Sequence, residues 1–527
     1  MPRPPQPLPT VAEADTAQSP RRGLLSRRVL NRAASAIAGL LLAAAFAPFD
    51  WWPLAVLAPA VLLWLWLDAE TPREAALLGF WFSAGTFAAG TWWLYISIHI
   101  LGEAPIWVAL LLMVALVAIM AGYQAGLGYV IARWLPRSPG LGCLAVIPAA
   151  WVFVEWWRVW FLSGFPWLSL GYSQTDSPLA GWAPLFGVYG MSALLLVCAG
   201  ALVAVVRATG RTRVLAAALL VLPWPSGYLL DKVEWTTPAG EEISVAILQG
   251  AIPQNLKWVE SNRDKTLDLY AKLHGEALGA RLIVWPEAAP PDVANYIAPY
   301  LSRMWSLAHD AGSDVLMGVL RQATDSEDYY NSILALGEDT SFYDKRHLVP
   351  FGEYFPVPDF VRSVMRLMSL PHDDISAGVD EQPPLAVAGI RLAASICYED
   401  AYASTLLSAM RDSTMLVNVT NDAWFGKAGA RYQHLQISRL RSIESRRFML
   451  RAANDGVSAI IGPRGEIVAA APQYAPAVLR GKALPRTGTT PYLELGNWPV
   501  ITLSAALLAL GAGLHRRNLG PRRRVYS

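Results

Sequence analysis

The chain has 527 residues, of which 54% are hydrophobic and only 16% are charged, and its net charge is +2. Since an average soluble domain carries about a quarter charged residues, this composition excludes an ordinary soluble protein and indicates a membrane protein with more than one domain. The small net charge gives no indication of a nucleic-acid partner.

Both ends of the chain are basic and polar. Residues 1–32 carry six arginines against Glu13 and Asp15, and the first part of this stretch is rich in proline. Such a sequence cannot bury enough apolar surface to fold, so residues 1–32 are predicted to form a disordered cytoplasmic tail. Residues 516–527 carry five arginines and no acid, which predicts a second basic tail on the same side.

Between the tails, the sequence predicts a membrane domain of about seven helices over residues 33–230 and one more span at 496–515. A helix needs about 20 apolar residues to cross the hydrocarbon core. The run after Arg32 is interpreted as an uncleaved first span, because another apolar run follows it at once. The apolar runs lie at about 33–48, 53–68, 76–97, 105–132, 141–158, 186–206, 213–230 and 496–515.

The basic residues of the short loops predict the orientation of these spans. Short cytoplasmic loops are enriched in Lys and Arg. Loops 133–137 and 207–213 contain arginines, whereas loops 49–53 and 99–105 contain no Lys or Arg. This alternation places residues 231–495 outside, which in a bacterium means the periplasmic side of the inner membrane.

Residues 231–495 have the pattern of an α/β domain with its own core. Helical patterns at 261–279 and 430–447 alternate with short apolar runs that are typical of buried strands. A domain of this length can bury a core without help from the membrane helices. The predicted strands are at 243–250, 280–287, 314–320, 391–399 and 415–422.

Cys397 is the only cysteine in residues 231–495. Cys143 and Cys198 lie in apolar spans, where a thiol usually serves as a small hydrophobic side chain. A thiol without a partner in an oxidising compartment is unusual, so Cys397 is either a core residue at a strand end or a nucleophile. A nucleophilic thiol needs a base to remove its proton.

The sequence offers histidines and carboxylates as candidate bases. No histidine of the outer segment lies in a recognisable motif, and the absence of HExxH and CxxC patterns predicts no metal site. The predicted strand in "LIVWPEAAPP" ends in Glu287, and "YDKRHLVPFGEYFP" contains Lys345 and Glu353 in one loop. Each of these signals is weak when taken alone.

Taken together, "WPE", "DKRHLVPFGEYFP" and "SICYED" resemble the carbon–nitrogen hydrolase (nitrilase) superfamily, whose catalytic residues are Glu, Lys and Cys in that order. This resemblance implies that Glu287, Lys345 and Cys397 are catalytic. It also implies that the outer domain is a nitrilase-like αββα sandwich, so the complete fold is a polytopic α-helical membrane domain joined to an α/β domain.

A narrower resemblance is carried by "QGAIPQNLKW", "NDAWFG" and the membrane segment "EWWRVWFLSGFPWLSLGYSQ", which resemble the apolipoprotein N-acyltransferase family. That family moves an acyl chain from a phospholipid, typically phosphatidylethanolamine, through a cysteine thioester to the N-terminal amine of a diacylglyceryl-cysteine apolipoprotein. The resemblance implies no cofactor, and it implies supporting roles for Glu353, Tyr398, Glu399 and Trp258.

Two other functions remain open from the residues. A membrane-tethered amidase would use the same three residues but would need only one span. A transporter with a non-catalytic outer domain should show polar residues in several spans or a repeat between halves. Glu155 and Arg158 stand three residues apart inside a span, which suggests an ion pair or a contact with a lipid headgroup.

Overall fold

The computed structural model describes residues 20–161, 164–350, 352–354 and 375–518. Its N-terminal part is a bundle of apolar helices. The bounds of these helices are α1 Pro20–Leu42, α2 Leu54–Asp68, α3 Pro72–Gly90, α4 Ile106–Trp134, α5 Ile147–Trp157, α6 Ala183–Arg207, α7 Gly210–Val221 and α8 Pro223–Asp231.

The predicted disordered tail over residues 1–32 is too long. Residues 1–19 lie outside the described residues, but α1 already begins at Pro20. Two arginines of α1 explain this, because Arg28 pairs with Glu70 at 2.5 Å and Arg32 pairs with Glu74 at 2.6 Å. The basic face of the segment therefore packs against the loop before α3 and its first turn.

The α/β part follows α8 and contains two six-stranded sheets. Its helices are α9 Gln254–Lys257, α10 Glu260–Ala277, α11 Ala298–Asp310, α12 Ala403–Asp412, α13 Ala430–Ser445 and α14 Pro491–Leu495, and the chain then enters α15 Trp498–Asn518. Its strands are β1 Thr236–Pro238, β2 Ile243–Gln249, β3 Leu282–Val284, β4 Asp314–Gln322, β5 Tyr329–Leu336, β6 Thr340–Asp344, β7 Leu385–Val387, β8 Ile390–Ile396, β9 Met415–Thr420, β10 Met449–Ala453, β11 Ala459–Ile461, β12 Ile467–Ala470, β13 Ala477–Ala483 and β14 Arg486–Gly488.

The two sheets face each other across a buried apolar layer. The first sheet has the order β13-β2-β3-β4-β5-β6, and the second has the order β12-β11-β10-β9-β8-β7. Val284 and Val417 are among the side chains between the sheets, α10 and α11 cover the outer face of the first sheet, and α12 covers that of the second. This layering is the predicted αββα sandwich, and the strands and helices predicted from the sequence are confirmed at these positions.

Several described helices are apolar enough to cross a membrane. Five described helical segments are long and apolar enough to span a membrane, at Arg27–Ala45, Ile106–Trp134, Pro178–Arg207, Gly210–Asp231 and Trp498–Arg517. Two shorter apolar helices lie at Leu54–Asp68 and Gly142–Trp157. The chain therefore combines a helical membrane region with an α/β domain, whereas the predicted total of about eight spans is not confirmed by this criterion.

Contacts among the loops divide the bundle into two ends. At one end, Arg207 pairs with Asp68 at 2.6 Å and Arg137 donates to the carbonyl of Trp66 at 3.3 Å, close to the pairs made by α1. At the other end, loops of the bundle touch the α/β domain. The polar helix α13 and the short helix α14 both pack on α6 at this junction.

Helix α13 is buried although its sequence is polar, because it lies between the α/β domain and the bundle. Gln433 accepts a hydrogen bond from the indole N–H of Trp167 at 2.7 Å, and Glu444 accepts one from the backbone N–H of Val188 at 3.0 Å. Arg439 also pairs with Asp176 at 2.5 Å. Buried polar groups need partners, and the bundle supplies them for these three residues.

Glu155 and Arg158 do not pair with each other within 4 Å in the described structure. Instead, Glu155 accepts a hydrogen bond from the backbone N–H of Leu170 at 3.1 Å, and Arg158 donates to the carbonyl of Trp167 at 3.1 Å and to the hydroxyl of Ser169 at 2.9 Å. Both side chains point at the same loop, whose backbone groups need partners inside the protein. The two charges thus fix the loop that carries Trp167.

Helices α1 and α3 cross closely enough to predict a stability effect. A Cβ atom added at Gly39 would lie 1.8 Å from the carbonyl oxygen of Phe82, so Gly39→Ala would force the helices apart. We expect a loss of about 1–3 kcal/mol, seen as a lower melting temperature of the purified protein in detergent.

The matched control for this substitution is Gly122→Ala on α4, where an added Cβ meets nothing within 4 Å. Its melting temperature should equal that of the wild type or exceed it, since Ala favours helix over Gly. Equal melting temperatures for the Gly39→Ala and Gly122→Ala proteins would contradict the close crossing.

Candidate active site

Three side chains predicted to be catalytic follow the carboxyl ends of three strands. Glu287 comes after β3, Lys345 directly follows β6, and Cys397 directly follows β8. Glu287 is 7% exposed and Lys345 is 1% exposed, so both charges are largely removed from water. The fold brings these three residues together from the facing edges of the two sheets.

The turn that carries Glu287 is tight and depends on its neighbour. Ala288 has φ of 41°, in the left-handed region that side chains other than Gly adopt at a cost. Ala289 donates from its backbone N–H to the carbonyl of Gly318 at 2.9 Å, which closes the turn onto β4. A Cβ at Gly318 would lie 2.7 Å from the Cα of Glu287, so only Gly allows this approach.

The backbone of Cys397 is also strained. Its φ is 53°, and it opens the short 3-10 helix Cys397–Ala401 directly after β8. The carbonyl of Cys397 lies 3.3 Å from the donating amide of Asn418 and 3.1 Å from Nε2 of His434. These partners hold the strained residue so that the strand ends in a sharp turn with the thiol at its tip.

The ammonium group of Lys345 lies between two carboxylates. Its Nζ is 2.8 Å from Oε2 of Glu353 and 3.7 Å from Oε1 of Glu287. The amide of Asn331 donates to Glu287 at 2.8 Å and to Glu353 at 3.1 Å, so it connects the same two acids. Glu353 is thus the closer carboxylate partner of Lys345, and Glu287 is the more distant one.

The charges of this cluster control its protonation. Burial alone would lower the pKa of Lys345, but Glu353 and Glu287 outweigh it and raise that pKa above its ordinary value. Burial and the charge of Glu287 raise the pKa of the Cys397 thiol, against the opposing charge of Lys345. The resting cysteine is therefore a thiol, and a base must take its proton when it reacts.

Glu399 connects the lysine loop to the cysteine turn. Its buried carboxylate accepts hydrogen bonds from the backbone N–H groups of Ile396 at 2.8 Å, Arg346 at 2.7 Å and His347 at 3.1 Å. It also accepts one from the hydroxyl of Tyr343 at 3.0 Å. The residues on either side of Lys345 and Cys397 are thereby held to one carboxylate.

Tyr398 and Trp258 occupy different positions around the cluster. The ring of Tyr398 stacks on Trp167 from the membrane bundle with 6.0 Å between centroids, and it meets Tyr402 edge-on at 5.1 Å. Trp258 follows α9 and is 49% exposed. Tyr398 therefore joins the cysteine turn to the bundle, whereas Trp258 lies at the rim.

The sequence analysis did not predict the buried polar network that lies beneath Cys397. His434 lies 2.7 Å from Asp422 through Nδ1 and 3.1 Å from Asp400 through Nε2, and Arg451 pairs with Asp422 at 2.9 Å. Burial and Arg451 lower the pKa of His434, but the two aspartates outweigh them and raise it to about 9. His434 is therefore an imidazolium that supports the Cys397 carbonyl.

Lys257 and Asn331 were also missed. Lys257 precedes Trp258 in "QGAIPQNLKW", which was noted as a motif, but a lone lysine is usually on the surface. Asn331 lies inside β5, where no local pattern distinguishes it. Only the fold brings Asn331 to the carboxylates of Glu287 and Glu353, and Lys257 to the backbone carbonyl of Glu287.

The contacts of Glu399 predict a local loss of order in a Glu399→Gln variant. An amide keeps one acceptor oxygen but places an NH₂ group against backbone donors, so part of the lysine loop should lose its partners. Hydrogen exchange at the Arg346 and His347 amides should become at least several-fold faster. A Tyr343→Phe variant removes one donor only and should leave these two amides protected, and equal exchange in all three proteins would disprove this role.

Comparisons with known proteins agree with this geometry. The family model of the apolipoprotein N-acyltransferase N-terminal domain matches residues 38–201, and the carbon-nitrogen hydrolase model matches residues 244–482. The apolipoprotein N-acyltransferase of Methylococcus capsulatus is 41% identical over 488 residues, which is 91% of this chain and 95% of that protein.

Two further relatives cover almost the full length. The apolipoprotein N-acyltransferase of Chromobacterium violaceum is 41% identical over 508 residues, or 96% of this chain and 97% of its own. That of Pseudomonas aeruginosa is 40% identical over 495 residues, or 93% of this chain and 96% of its own. Since both the membrane bundle and the α/β domain match, this chain belongs to the apolipoprotein N-acyltransferase family.

Proposed function

We propose that this protein is an acyltransferase that moves a fatty acyl chain from a membrane phospholipid to the N-terminal amine of a diacylglyceryl-cysteine apolipoprotein. Phosphatidylethanolamine is the proposed donor. The observation that carries this proposal is the buried ammonium of Lys345 between Glu287 and Glu353, beside the strained turn of Cys397. These groups supply a base, a cation and a nucleophile in one largely buried site.

In the first half-reaction, Glu287 takes the proton of the Cys397 thiol, and the thiolate attacks the ester carbonyl carbon of the phospholipid. The resulting oxyanion is stabilised by Lys345 and by the backbone N–H of Tyr398; such a donor is typically worth about 3–4 kcal/mol. The C–O bond of the ester then breaks, and Glu287 returns the proton to the departing oxygen. The products are a lysophospholipid and an acyl thioester on Cys397.

In the second half-reaction, the neutral amine of the apolipoprotein attacks the thioester carbonyl carbon. Glu287 takes a proton from this nitrogen, Lys345 again faces the oxyanion, and the C–S bond breaks. Glu287 then protonates the released thiolate of Cys397. The amide product forms and the enzyme returns to its starting state without any cofactor.

An amidase of the same fold would pass the acyl group to water instead, so water exclusion decides between the two functions. The described contacts favour transfer. Tyr398, next to the nucleophile, stacks on Trp167 of the bundle, and buried α13 seals the junction behind it. A domain that is merely tethered would not need this extended junction with several helices.

For the membrane arrangement, we propose eight spans, with both ends of the chain in the cytoplasm and residues 231–495 in the periplasm. The five long apolar helices, the two shorter ones and α3 add up to eight. The arginine-rich loops meet at one end of the bundle, and the α/β domain contacts the other end. This agrees with the bias of basic residues toward the cytoplasm of the inner membrane.

A test of the reaction is to mix the purified protein with phospholipid alone. Without an acceptor amine the thioester should accumulate, so intact mass should rise by one acyl group that neutral hydroxylamine removes. Cys397→Ala should acquire no such group, whereas Cys143→Ala and Cys198→Ala should still do so. Acylation of the Cys397→Ala protein would show that the nucleophile has been assigned wrongly.

A second prediction concerns Glu353. In Glu353→Gln the lysine loses its nearest carboxylate, so Lys345 should move toward Glu287 and occupy the oxygen that acts as base. The rate of acyl-Cys397 formation should fall at least tenfold while the protein still folds, because Glu287 remains as a partner of the buried ammonium. The exposed Glu338→Gln is the matched control, and an unchanged rate in folded Glu353→Gln would remove Glu353 from the site.

A third prediction concerns which side of the membrane the loop of Arg211 and the α/β domain face. A single cysteine introduced at Arg211, in a protein with Cys143, Cys198 and Cys397 replaced, should react with an impermeant maleimide only after the cells are opened. A cysteine at exposed Lys272 should react in cells whose outer membrane alone is permeable. Labelling of the Arg211 position in such cells would overturn the proposed orientation.

A further inference from the structure

A second buried ammonium lies beside the catalytic cluster. Lys257 is 2% exposed, and its Nζ donates to the backbone carbonyl of Glu287 at 3.0 Å. It stands at the end of α9, whose first residue Gln254 accepts a hydrogen bond from the amide of Asn421 at 2.8 Å. Lys257 is thus attached to the turn that presents the base, and α9 is held at both ends.

Lys257 adds a second cation next to the catalytic carboxylates. Glu287 and Glu353 are two carboxylates against the single ammonium of Lys345, and an excess of negative charge opposes formation of a thiolate at Cys397. The other buried acids near Cys397 have partners of their own, since Glu399 is held by Tyr343 and backbone N–H groups, and Asp400 and Asp422 are held by His434 and Arg451. Uncompensated buried charge is costly. Protonated Lys257 brings the set of Glu287, Glu353 and Lys345 to neutrality, and proton transfer from Cys397 to Glu287 leaves that total unchanged.

The hydrogen bond of Lys257 also affects the shape of the turn that carries Glu287. The carbonyl that it holds precedes Ala288, whose φ of 41° marks the strained turn. A charged donor makes a stronger hydrogen bond than a neutral one, so the ammonium helps to keep this turn closed. Loss of the bond would let the Glu287 carboxylate move relative to the thiol.

We infer that Lys257 is a positioning residue of the active site, which holds the Glu287 turn and supplies the positive charge that makes thiolate formation at Cys397 possible. This inference rests on the proposed function of Glu287 and Cys397. It concerns a residue that reaches no reacting atom in the structure and acts through the base.

The protonation of Lys257 gives the inference a distinctive readout. Burial lowers the pKa of Lys257 to about 8, against the opposing charges of Glu287 and Cys397. The ammonium is therefore present below about pH 8 and is lost as the pH rises through that value. Lys345 has a raised pKa and remains charged over this range, whereas His434, whose pKa is raised to about 9 and whose Nε2 contacts the Cys397 carbonyl, also titrates in it. His434 is the same in the wild type and in the Lys257 variants, so the ratio of their rates isolates the effect of Lys257.

The experiment measures the rate of alkylation of Cys397 by iodoacetamide between roughly pH 6 and pH 10, in full-length protein in detergent. Below pH 8, Lys257→Met should react about tenfold more slowly than wild type, the effect of one unit in the thiol pKa. As the pH rises through 8, the ratio of the two rates should fall toward one. Lys257→Arg stays charged over the whole range, so it should keep its rate advantage over Lys257→Met above pH 8.

The matched control is Lys272→Met on α10, whose side chain is 73% exposed, and it should react like the wild type at every pH. A Lys257→Met protein that is folded and reacts like the wild type would overturn the inference. If that variant does not fold, the wild type and Lys257→Arg decide, because identical pH profiles for these two would show that titration of Lys257 has no effect.

This test is separate from that of the proposed function. Alkylation needs no lipid, so the ratio of rates reports the influence of Lys257 on the thiol whatever the acyl donor is. A wild-type protein that forms no acyl adduct with phospholipid would overturn the proposed function, while the alkylation profiles would still decide the role of Lys257.

Discussion

The organisation of the site depends on one buried ammonium group. Lys345 is almost fully removed from water, and an isolated cation in that position would be very costly. Glu353, Glu287 and the bridging amide of Asn331 offset this cost, and they do so only if their spacing is kept. The surrounding structure restrains these residues and so keeps their spacing around Lys345.

These restraints reach both sheets and the membrane bundle. Glu399 ties the lysine loop to the cysteine turn, and His434 and Asn418 hold the carbonyl of Cys397. Tyr398, in the same turn, stacks on Trp167 of the bundle. The loop that carries Trp167 is fixed by Glu155 and Arg158. Two costly charges inside a span thus serve the position of a loop beneath the catalytic domain.

The sequence predicted the parts of this fold that have a local signal. The strands that end before Glu287 and Cys397 are short apolar runs, and the helices of the α/β domain have clear patterns. Helix α13 was predicted as a helix, but its polar sequence gave no sign that the bundle would bury it. The length of the disordered tail was overestimated because the partners of Arg28 and Arg32 lie about 40 residues away in the chain.

The residues of the site also divide into those that motifs identify and those that only the fold brings together. Glu287, Lys345, Glu353 and Cys397 were identified from motifs, and the structure brings them into one cluster. Asn331 and His434 have no distinctive neighbours in sequence, and Lys257 lies in a motif that does not single it out. The roles of all three depend on contacts between residues that are 30 or more positions apart. Such contacts are set by how the two sheets and α9 meet, which one sequence does not reveal.

The proposed reaction uses one thioester on Cys397 to link a lipid donor to an amine acceptor. It is tested most directly by loading the protein with an isotopically labelled acyl chain, removing the phospholipid, and adding a peptide with an N-terminal diacylglyceryl-cysteine. The label should leave Cys397 and appear as an amide on the peptide, whereas a peptide with a blocked amine should leave it on the enzyme. Release of the label as free fatty acid at the same rate with either peptide would show that Cys397 passes its acyl group to water and not to the amine.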